Sequence, residues 1–290
     1  MAFHKKQAEL VVFSAKTAFD ALNNTTDLCI AAHQDDIEIM AYGAIAACFD
    51  DSERSFTGVV VSDGAGSPRS GAYMDMTDEE MKAVRVNEQK KAAEIGRYNA
   101  QIFLAFESRE IKDASCNAVV DDIEQILLHT GAETVYTHNL ADKHDTHVAV
   151  ALRCIAALRR LPDEKRPKKV YSLEVWRGLD WLCDSDKAVF DTSAHPTLAA
   201  ELLAAFDSQI CGGKRYDVAA LGRRLSNATF FESHAVDASD SISLGLDITE
   251  LVYDDSLNPR QFVCDRISRF EREVSERINR LQTGEKNEIS

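Results

Sequence analysis

Two short clusters of histidine and aspartate contain the side chains best suited to chemistry in this chain of 290 residues. The first cluster is the segment AAHQDDIE, which holds His33, Asp35 and Asp36. On a tight turn, His33 and Asp36 can reach one cation, while Asp35 between them projects elsewhere and stays free for proton transfer. The first turn of the predicted helix that follows also favours anionic side chains.

The second cluster lies much later in the chain, in the segment THNLADKHDTHVAVA. Its candidate side chains are His138, Asp142, His144, Asp145 and His147. His144 and His147 stand one helical turn apart at the start of a predicted helix, so both can face the same side. The segment follows a predicted strand, as the first cluster does.

Together the clusters could build a catalytic metal site. Such a site needs about three protein ligands, usually histidines with one carboxylate, and an open position for water. His33, Asp36 and His147 meet this need, and a cation would lower the pKa of its water to about 7. Asp35 could then take the water's proton, while His144 polarises a carbonyl or protonates a leaving amine. The sequence therefore predicts a metal-dependent hydrolase.

Each cluster also has a structural interpretation. An HxDD segment at a strand end is often a polar cap for the next helix, and an HxxH segment is often two exposed helical residues. Two such clusters, each following a strand of one parallel sheet, favour a functional site over these structural roles.

The elements that must position these residues follow from the hydrophobic pattern. Strands are predicted at 28–32, 56–63, 101–106, 133–139 and 168–176. Helices are predicted at 3–22, 38–49, 77–96, 119–131 and 147–161. This alternation predicts an α/β fold with a doubly wound, Rossmann-like, mostly parallel sheet, whose ligands bind beyond the C-terminal ends of the strands.

We expect a single domain over residues 1–290, built from three parts. Residues 1–176 form the Rossmann-like core with the metal site, and an irregular portion, 177–257, adds strands and helices that complete the substrate cleft. Within it, 196–206 predicts a helix and 228–236 an additional strand. Residues 258–290 form a C-terminal helix, with Asn258 and Pro259 at its start. Its apolar seam could pack on the domain, the commoner outcome, or on a second subunit in a homo-oligomer.

At the two clusters the sequence resembles the LmbE-like, or PIG-L, family of zinc-dependent deacetylases. That family carries an HPDDE-type motif after its first strand and an HPDH-type motif later. The counterparts here are HQDDIE at 33–38 and HDTH at 144–147. The flanking segments VVVSDGAGSPR at 59–69, RVNEQKKAAEIG at 85–96 and SNATFFESH at 226–234 also agree, so the resemblance covers about residues 26–235.

The resemblance implies removal of an acetyl group from the amide nitrogen of an N-acetylated amino sugar, such as N-acetylglucosamine, or of its conjugate. It implies zinc bound by His33, Asp36 and His147, with Fe2+ accepted by the same ligands. It further implies that Asp35 is the general base and that His144 faces the carbonyl or amine. By the same resemblance, Arg69 contacts the sugar or its substituent.

The sequence departs from the family motifs at three positions. Gln34 replaces the usual proline, and Ile37 stands where glutamate is common, although Glu38 follows. Thr146 replaces the aspartate before the last histidine, with Asp145 displaced by one position. All of these changes spare the implied metal ligands.

Two other functions remain open. His33 and Asp35 with His147 formally match the two-histidine, one-carboxylate triad of a non-haem iron oxygenase. That triad usually lies on a β-roll, which the α/β alternation disfavours. The other alternative is a non-catalytic sugar-binding protein on the same fold, which would have no need of a free base at Asp35.

Composition limits the partners. The net charge of −15 and pI of about 5.0 produce a surface that repels nucleic acid and anionic membranes. No stretch reaches the length of a membrane span. The seven cysteines are scattered and form no CxxC, which indicates reduced thiols and a cytoplasmic location. We therefore expect a small-molecule substrate.

Overall fold

The computed structural model describes residues 1–13 and 17–284, and its strands form one eight-stranded sheet. The strands are β1 (Glu9–Val12), β2 (Asp27–Ala31), β3 (Phe56–Ser62), β4 (Ala100–Phe106), β5 (Thr134–His138), β6 (Lys169–Leu173), β7 (Lys187–Asp191) and β8 (Ile242–Asp247). Their order across the sheet is β1-β4-β3-β2-β5-β6-β8-β7.

The five central strands, β4-β3-β2-β5-β6, are parallel and are the five that the sequence predicts. The mostly parallel, doubly wound α/β fold is thereby confirmed. The chain runs from β2 outward through β3 to β4 and then returns to β5 on the other side of β2. Ligands of open α/β sheets bind at such a reversal, beyond the C-terminal ends of the strands.

Helices cover both faces of this sheet. They are α1 (Ala18–Asn23), α2 (Asp36–Met40), α3 (Tyr42–Phe49), α4 (Asp78–Ile95), α5 (Ser108–Lys112), α6 (Asn117–His129), α7 (Asp145–Arg160), α8 (Pro196–Ala204), α9 (Asp207–Ile210), α10 (Tyr216–Phe230), α11 (Thr249–Tyr253) and α12 (Pro259–Thr283). The predicted capping box opens α4, where Thr77 and Glu80 each accept a hydrogen bond from the other's backbone N–H.

Two apolar layers hold the helices to the sheet. One layer packs α1, α6, α7 and the start of α12 on one face, and the other packs α2, α3, α4 and α8 on the opposite face. Every residue of β2 and β3 is buried. Burial on both faces explains why these strands are continuous apolar runs rather than alternating patterns.

The predicted N-terminal helix over 3–22 is wrong. Residues 9–12 form β1, which pairs antiparallel with β4, and α1 begins only at Ala18. Residues 14–16 lie outside the described residues. Leu10, Val11 and Val12 pair with β4 at the edge of the sheet, and this tertiary pairing overrides the helical spacing of the apolar positions.

The strand predicted over 228–236 is also wrong. Residues up to Phe230 belong to α10, whose buried face carries Ala220, Arg224 and Ala228. These positions repeat every four residues, the spacing of a helix, and the aromatic residues that suggested a strand lie at the exposed end of that helix. The portion 177–257 instead contributes β7 and β8, which extend the sheet antiparallel from β6.

The terminal helix α12 begins as predicted. The Asn258 side chain accepts hydrogen bonds from the two backbone N–H groups that follow Pro259. Phe262 and Val263 are buried, whereas Leu281 is 74% exposed. The last positions of the predicted 258–290 helix, residues 285–290, lie outside the described residues. None of the helices described is long and apolar enough to cross a membrane.

Candidate metal centre

The first cluster occupies the turn between β2 and α2. Asp36 opens α2, and its Oδ2 accepts a hydrogen bond of 2.7 Å from the backbone N–H of His33. Asp35 precedes the helix with a φ of 89°, in the left-handed region that few residues other than glycine adopt. The side chain of Gln89 on α4 accepts the Asp35 N–H at 3.2 Å. This turn therefore directs the carboxylates of Asp35 and Asp36 into the interior of the protein.

The second cluster arrives on the first turn of α7. His147 Nε2 lies 3.1 Å from His33 Nδ1 and 3.3 Å from Asp36 Oδ2, and His33 Nδ1 lies 3.1 Å from the same Oδ2. A tetrahedral zinc ion with bonds of about 2.0–2.1 Å holds its ligand atoms roughly 3.3 Å apart. The three donor atoms thus have the spacing of a zinc or iron(II) site.

His138 and His144 are the other histidines at this cluster. Potential donor atoms fall into two overlapping groups, His33 with His144 and His147, and Asp36 with His138 and His147. His138 Nε2 accepts a hydrogen bond of 2.8 Å from the backbone N–H of Ala32, which occupies its lone pair. Burial, with help from His147, lowers the pKa of His138 to about 4. His138 is therefore a neutral support for the turn, not a ligand through that nitrogen.

Asp142 orients His147 from behind. Its Oδ2 lies 3.0 Å from His147 Nδ1 and also accepts the Val175 N–H at 3.1 Å. A carboxylate in this position keeps the proton on Nδ1, so that Nε2 faces the cluster, as in many metal sites. Burial lowers the pKa of His147, but Asp36 and Asp142 outweigh burial and raise that pKa to about 9. A cation that binds at Nε2 of His147 must displace the proton from that nitrogen.

Asp35 is held by a buried arginine on α4. Arg85 Nη2 donates to Asp35 Oδ2 at 2.9 Å and to the backbone carbonyl of Gln34, while Nη1 donates to Glu88 Oε2 at 2.9 Å. Burial raises the pKa of Asp35 to about 6, although Arg85 opposes this. Arg85 and Glu88 are absent from the sequence-based site. The sequence feature that could have identified them is an arginine and a glutamate one turn apart on the buried face of a helix.

His144 stands at the cap of α7, and its ring centroid is 4.6 Å from that of His147 and 5.0 Å from that of His33. Burial and the two other histidines lower its pKa. Its Nδ1 is buried and has no hydrogen-bond partner among the described residues. Thr146, which replaces the aspartate of the family motif, is buried and supplies no carboxylate to orient the ring.

Five of the six residues of the predicted site, all but Arg69, border one cavity of about 450 Å³. Its walls include the loop after β3, Arg85 on α4, Lys112 on α5, and the side chains of Trp176, Lys214 and Tyr216. Arg69 is not among the lining residues. Its guanidinium donates to Asp78 at 2.6 Å and to the carbonyl of Ala65, so its contact with a substrate stays a prediction.

Solved structures with this fold catalyse more than one reaction. N,N'-diacetylchitobiose deacetylase from Pyrococcus horikoshii is 14% identical, with a TM-score of 0.61 over 79% of this chain and 86% of that one. Teicoplanin deacetylase, in a zinc-inhibited form, is 15% identical, with a TM-score of 0.57 over 77% and 97%. The 4-carboxy-2-hydroxymuconate hydratase from Pseudomonas putida KT2440 is 18% identical, with a TM-score of 0.55 over 77% and 96%.

A search of curated proteins yields no match. The sequence pattern of one family, described as PIG-L: GlcNAc-PI de-N-acetylase, matches residues 28–158. This stretch begins in β2, ends in α7, and contains both histidine–aspartate clusters with their spacing. The segment 28–158 of this chain therefore matches the PIG-L, or LmbE-like, family.

Proposed function

We propose that this protein is a metal-dependent deacetylase that removes the acetyl group from the amide nitrogen of an N-acetylated amino sugar or its conjugate. One observation carries the proposal. The donor atoms of His33, Asp36 and His147 lie 3.1–3.3 Å apart, and the carboxylate of Asp35 borders the same cavity. The family match and the two deacetylases of the same fold support this reaction.

His33, Asp36 and His147 would hold the cation, which we propose to be zinc, or iron(II) as the alternative that the same ligands accept. A divalent cation supplies a Lewis acid that polarises the amide carbonyl and lowers the pKa of a coordinated water to about 7. The charge of Asp36 and the orienting hydrogen bond of Asp142 fit these residues to that task.

The remaining residues would move the protons. Asp35 accepts a proton from the attacking water, while Arg85 holds its carboxylate at 2.9 Å. The water oxygen bonds to the carbonyl carbon, the carbon–nitrogen bond breaks, and acetate and a free amine form. The proton that Asp35 has accepted passes to the departing nitrogen, and the neutral imidazole of His144, which carries one N–H, would donate a hydrogen bond to the carbonyl oxygen.

The cavity suits a sugar-sized molecule. Its volume of about 450 Å³ lies within the range of small-molecule sites, about 300–1,000 Å³. The rings of Trp176 and Tyr216, with centroids 6.0 Å apart, line the cavity together with the polar loop that follows β3. We place the protein in the cytoplasm, in line with its unpaired cysteines.

The alternatives predict different products. An iron oxygenase would consume dioxygen with a 2-oxo acid, and a sugar-binding protein would retain affinity without turnover. The hydratase of the same fold shows that this fold also accommodates addition of water without release of acetate. The match of residues 28–158, which contain both clusters, to a family described as a de-N-acetylase favours deacetylation.

The decisive test measures free amine and acetate released from a panel of N-acetyl amino sugars. Purified protein is stripped with a chelator and assayed before and after addition of Zn2+ or Fe2+. We expect turnover only with metal. His147→Ala should lose both metal and turnover, whereas His129→Ala, at an exposed histidine on α6, should lose neither. Full metal occupancy without amine release from any substrate would overturn the proposal.

A further inference from the structure

We propose that the protein binds a small monovalent inorganic anion, such as chloride, in a second cavity apart from the metal centre. The cavity is bordered by α2, α10, β8 and the segment after β6, and it shares no lining residue with the cavity of the metal centre. Three of its lining residues, Arg177, Arg223 and Arg224, are cationic, and we call them the arginine triad. The inference does not rest on the proposed deacetylase activity.

Arg224 is the buried member of the triad, with 3% of its surface exposed. Its Nη2 donates hydrogen bonds to the backbone carbonyls of Glu38 and Ile39 on α2, and its guanidinium lies 4.5 Å from the centroid of the Tyr42 ring. Its Nε and Nη1 are also buried and have no hydrogen-bond partner among the described residues. A buried donor without an acceptor costs free energy, and more so when it belongs to a charged group. Because Arg224 borders the cavity, an ion there can serve as the acceptor.

The triad has no carboxylate partner. The hydrogen bonds of Arg223 and Arg224 go to backbone carbonyls, and no aspartate or glutamate that the structure describes lies at ion-pair distance from any of the three arginines. The chain has 48 acidic and only 33 basic residues, so carboxylates are plentiful elsewhere. Buried charges are normally paired, and an anion from solution would supply the charge that the chain itself does not.

Glu174 is the one carboxylate among the described residues that border this cavity, and both of its oxygens are engaged. Oε2 accepts the backbone N–H of Leu179 at 2.6 Å, and Oε1 accepts the indole N–H of Trp181 at 2.9 Å. Burial raises the pKa of Glu174, although these hydrogen bonds and Arg177 oppose the rise. Even when Glu174 is ionised, one negative charge leaves the three arginines with a net positive charge.

The cavity selects the anion by charge and by size. Burial lowers the pKa of Arg224 to about 10, and Arg223 contributes to this fall, so the two guanidinium groups are close enough to repel. An anion beside them replaces that repulsion with charge-assisted hydrogen bonds. The cavity volume of about 30 Å³ has room for roughly one or two water-sized groups, which suits chloride and excludes a sugar phosphate or a nucleotide.

The anion would act on the contact between two helices. The Nη2 hydrogen bonds of Arg224 join α10 to α2, the helix that begins with Asp36. Arg177 is exposed, so an ion can reach the triad from solvent without unfolding of the chain. An ion that binds the folded chain and not the unfolded chain raises stability in proportion to its occupancy. Chloride should therefore stabilise the protein with a saturable dependence on concentration.

The experiment follows thermal unfolding of the full chain while chloride replaces gluconate at constant ionic strength. The protein is first treated with a chelator, so that chloride cannot act through a bound metal. We expect the melting temperature to rise along a saturating curve, by roughly 2–4 °C at about ten times Kd. Arg224→Met should abolish this rise. Because Arg224 also holds α10 on α2, its replacement could prevent folding, and Arg177→Met, at the exposed member of the triad, is the second variant.

In Arg177→Met, the chloride concentration that gives half of the rise should increase several-fold. Lys165→Met is the control, because it also replaces an exposed cation by methionine, at a position that does not border the cavity. It should keep the chloride dependence of the unaltered protein. Equal melting temperatures in chloride and gluconate, or a half-maximal concentration that Arg177→Met leaves unchanged, would overturn the proposal. Absence of amine release from every sugar would not bear on it.

Bromide locates the site directly. Crystals of the protein grown in bromide should show an anomalous diffraction peak within hydrogen-bond reach of Arg224 Nε or Nη1. A cavity without such a peak would overturn the proposal. A peak in a protein whose melting temperature does not respond to chloride would mean binding at crystal concentration only, and would overturn it as well.

Discussion

At the scale of single residues, Asp35 combines an unusual backbone with an unusual side-chain environment. Its φ of 89° lies in a region that asparagine and aspartate tolerate better than other residues with a side chain. Its carboxylate lies 2.9 Å from the buried guanidinium of Arg85. A substitution that keeps the backbone preference and removes only the charge therefore isolates the chemical role of this residue.

We predict that Asp35→Asn retains metal and loses at least about a hundredfold in kcat, the contribution typical of a general base. Asparagine suits the positive φ, so the turn that carries His33 and Asp36 should persist. The measurements are metal content by atomic absorption and turnover under saturating substrate.

Asp142→Asn is the matched control for this prediction, since it makes the same chemical change behind His147. It should weaken metal binding by about 10–100-fold, as loss of an orienting carboxylate does elsewhere. Metal loss in Asp35→Asn as large as that in Asp142→Asn would mean that Asp35 is a ligand or a structural group instead of the base.

The proposed metal ligands could be selected from sequence because each cluster is a compact motif that follows a strand. Arg85 was not predictable in this way. Its role depends on α4 lying across the turn after β2, a contact between segments 50 positions apart. An arginine in a charged helix otherwise indicates a solvent-exposed face. Lys214, in the irregular portion 177–257, likewise borders the cavity through a contact between segments distant in sequence.

At the scale of elements, Glu38 explains how α2 is fixed. Its side chain is buried and does not line the cavity, and Oε1 accepts hydrogen bonds from the Tyr98 hydroxyl at 2.7 Å and from Gln89 at 2.8 Å. Oε2 is buried and has no partner among the described residues. Burial raises the pKa of Glu38 to about 7. Glu38, which is displaced by one position from the glutamate of the family motif, thus links α2 to α4 and to Tyr98 through hydrogen bonds.

We predict that Glu38→Gln removes a pH dependence of folding. Below about pH 4.3, the carboxyl is protonated in both states. As the pH rises to about 7, the unfolded state ionises first, so the free energy of unfolding of the unaltered protein falls by up to roughly 3 kcal/mol. Glutamine keeps both hydrogen bonds at Oε1 and does not titrate. Relative to the unaltered protein, the variant should gain stability between pH 4.5 and pH 8.

Urea unfolding of metal-free protein at these two pH values measures the effect. The control is Glu94→Gln, at an exposed position of α4, which should change stability equally at both pH values. A difference between Glu38→Gln and the unaltered protein that is the same at pH 4.5 and pH 8 would show that folding does not raise the pKa of Glu38.

The elements differ in how far sequence determines them. β2 and β3 are buried on both faces, so their composition alone marks them as strands. The short strands β1, β7 and β8 depend on pairing partners distant in sequence. In α10, Gly222 and the polar residues weaken the local preference for helix. The four-residue spacing of Ala220, Arg224 and Ala228 indicates a helix only once the structure shows that these residues are buried.

At the scale of the whole molecule, the cluster spans the line where the winding of the sheet reverses. His33 and Asp36 follow β2, whereas His147 belongs to α7 after β5, and 114 positions separate His33 from His147. A cation bound by all three would join the two halves of the core. Because the unfolded chain cannot preserve such a site, the binding free energy would add to folding stability.

We predict that Zn2+ raises the melting temperature of chelator-treated protein. At a free metal concentration one thousand times Kd, the gain in unfolding free energy is about 4 kcal/mol. His147→Ala should show little of this gain, and Lys165→Met should show all of it. Thermal unfolding followed by circular dichroism, over a series of metal concentrations, provides the measurement. An equal rise in His147→Ala would place the metal elsewhere on the protein.

The position of the donor atoms across the two halves of the core has a consequence for the protein in its cell. Because the same three side chains would serve both catalysis and stability, a shortage of the cation would lower the activity and the unfolding free energy together. A loss of one or two kcal/mol of stability is enough to change the abundance of a protein several-fold through proteolysis. The amount of this protein would then follow the supply of its metal, without a dedicated sensor.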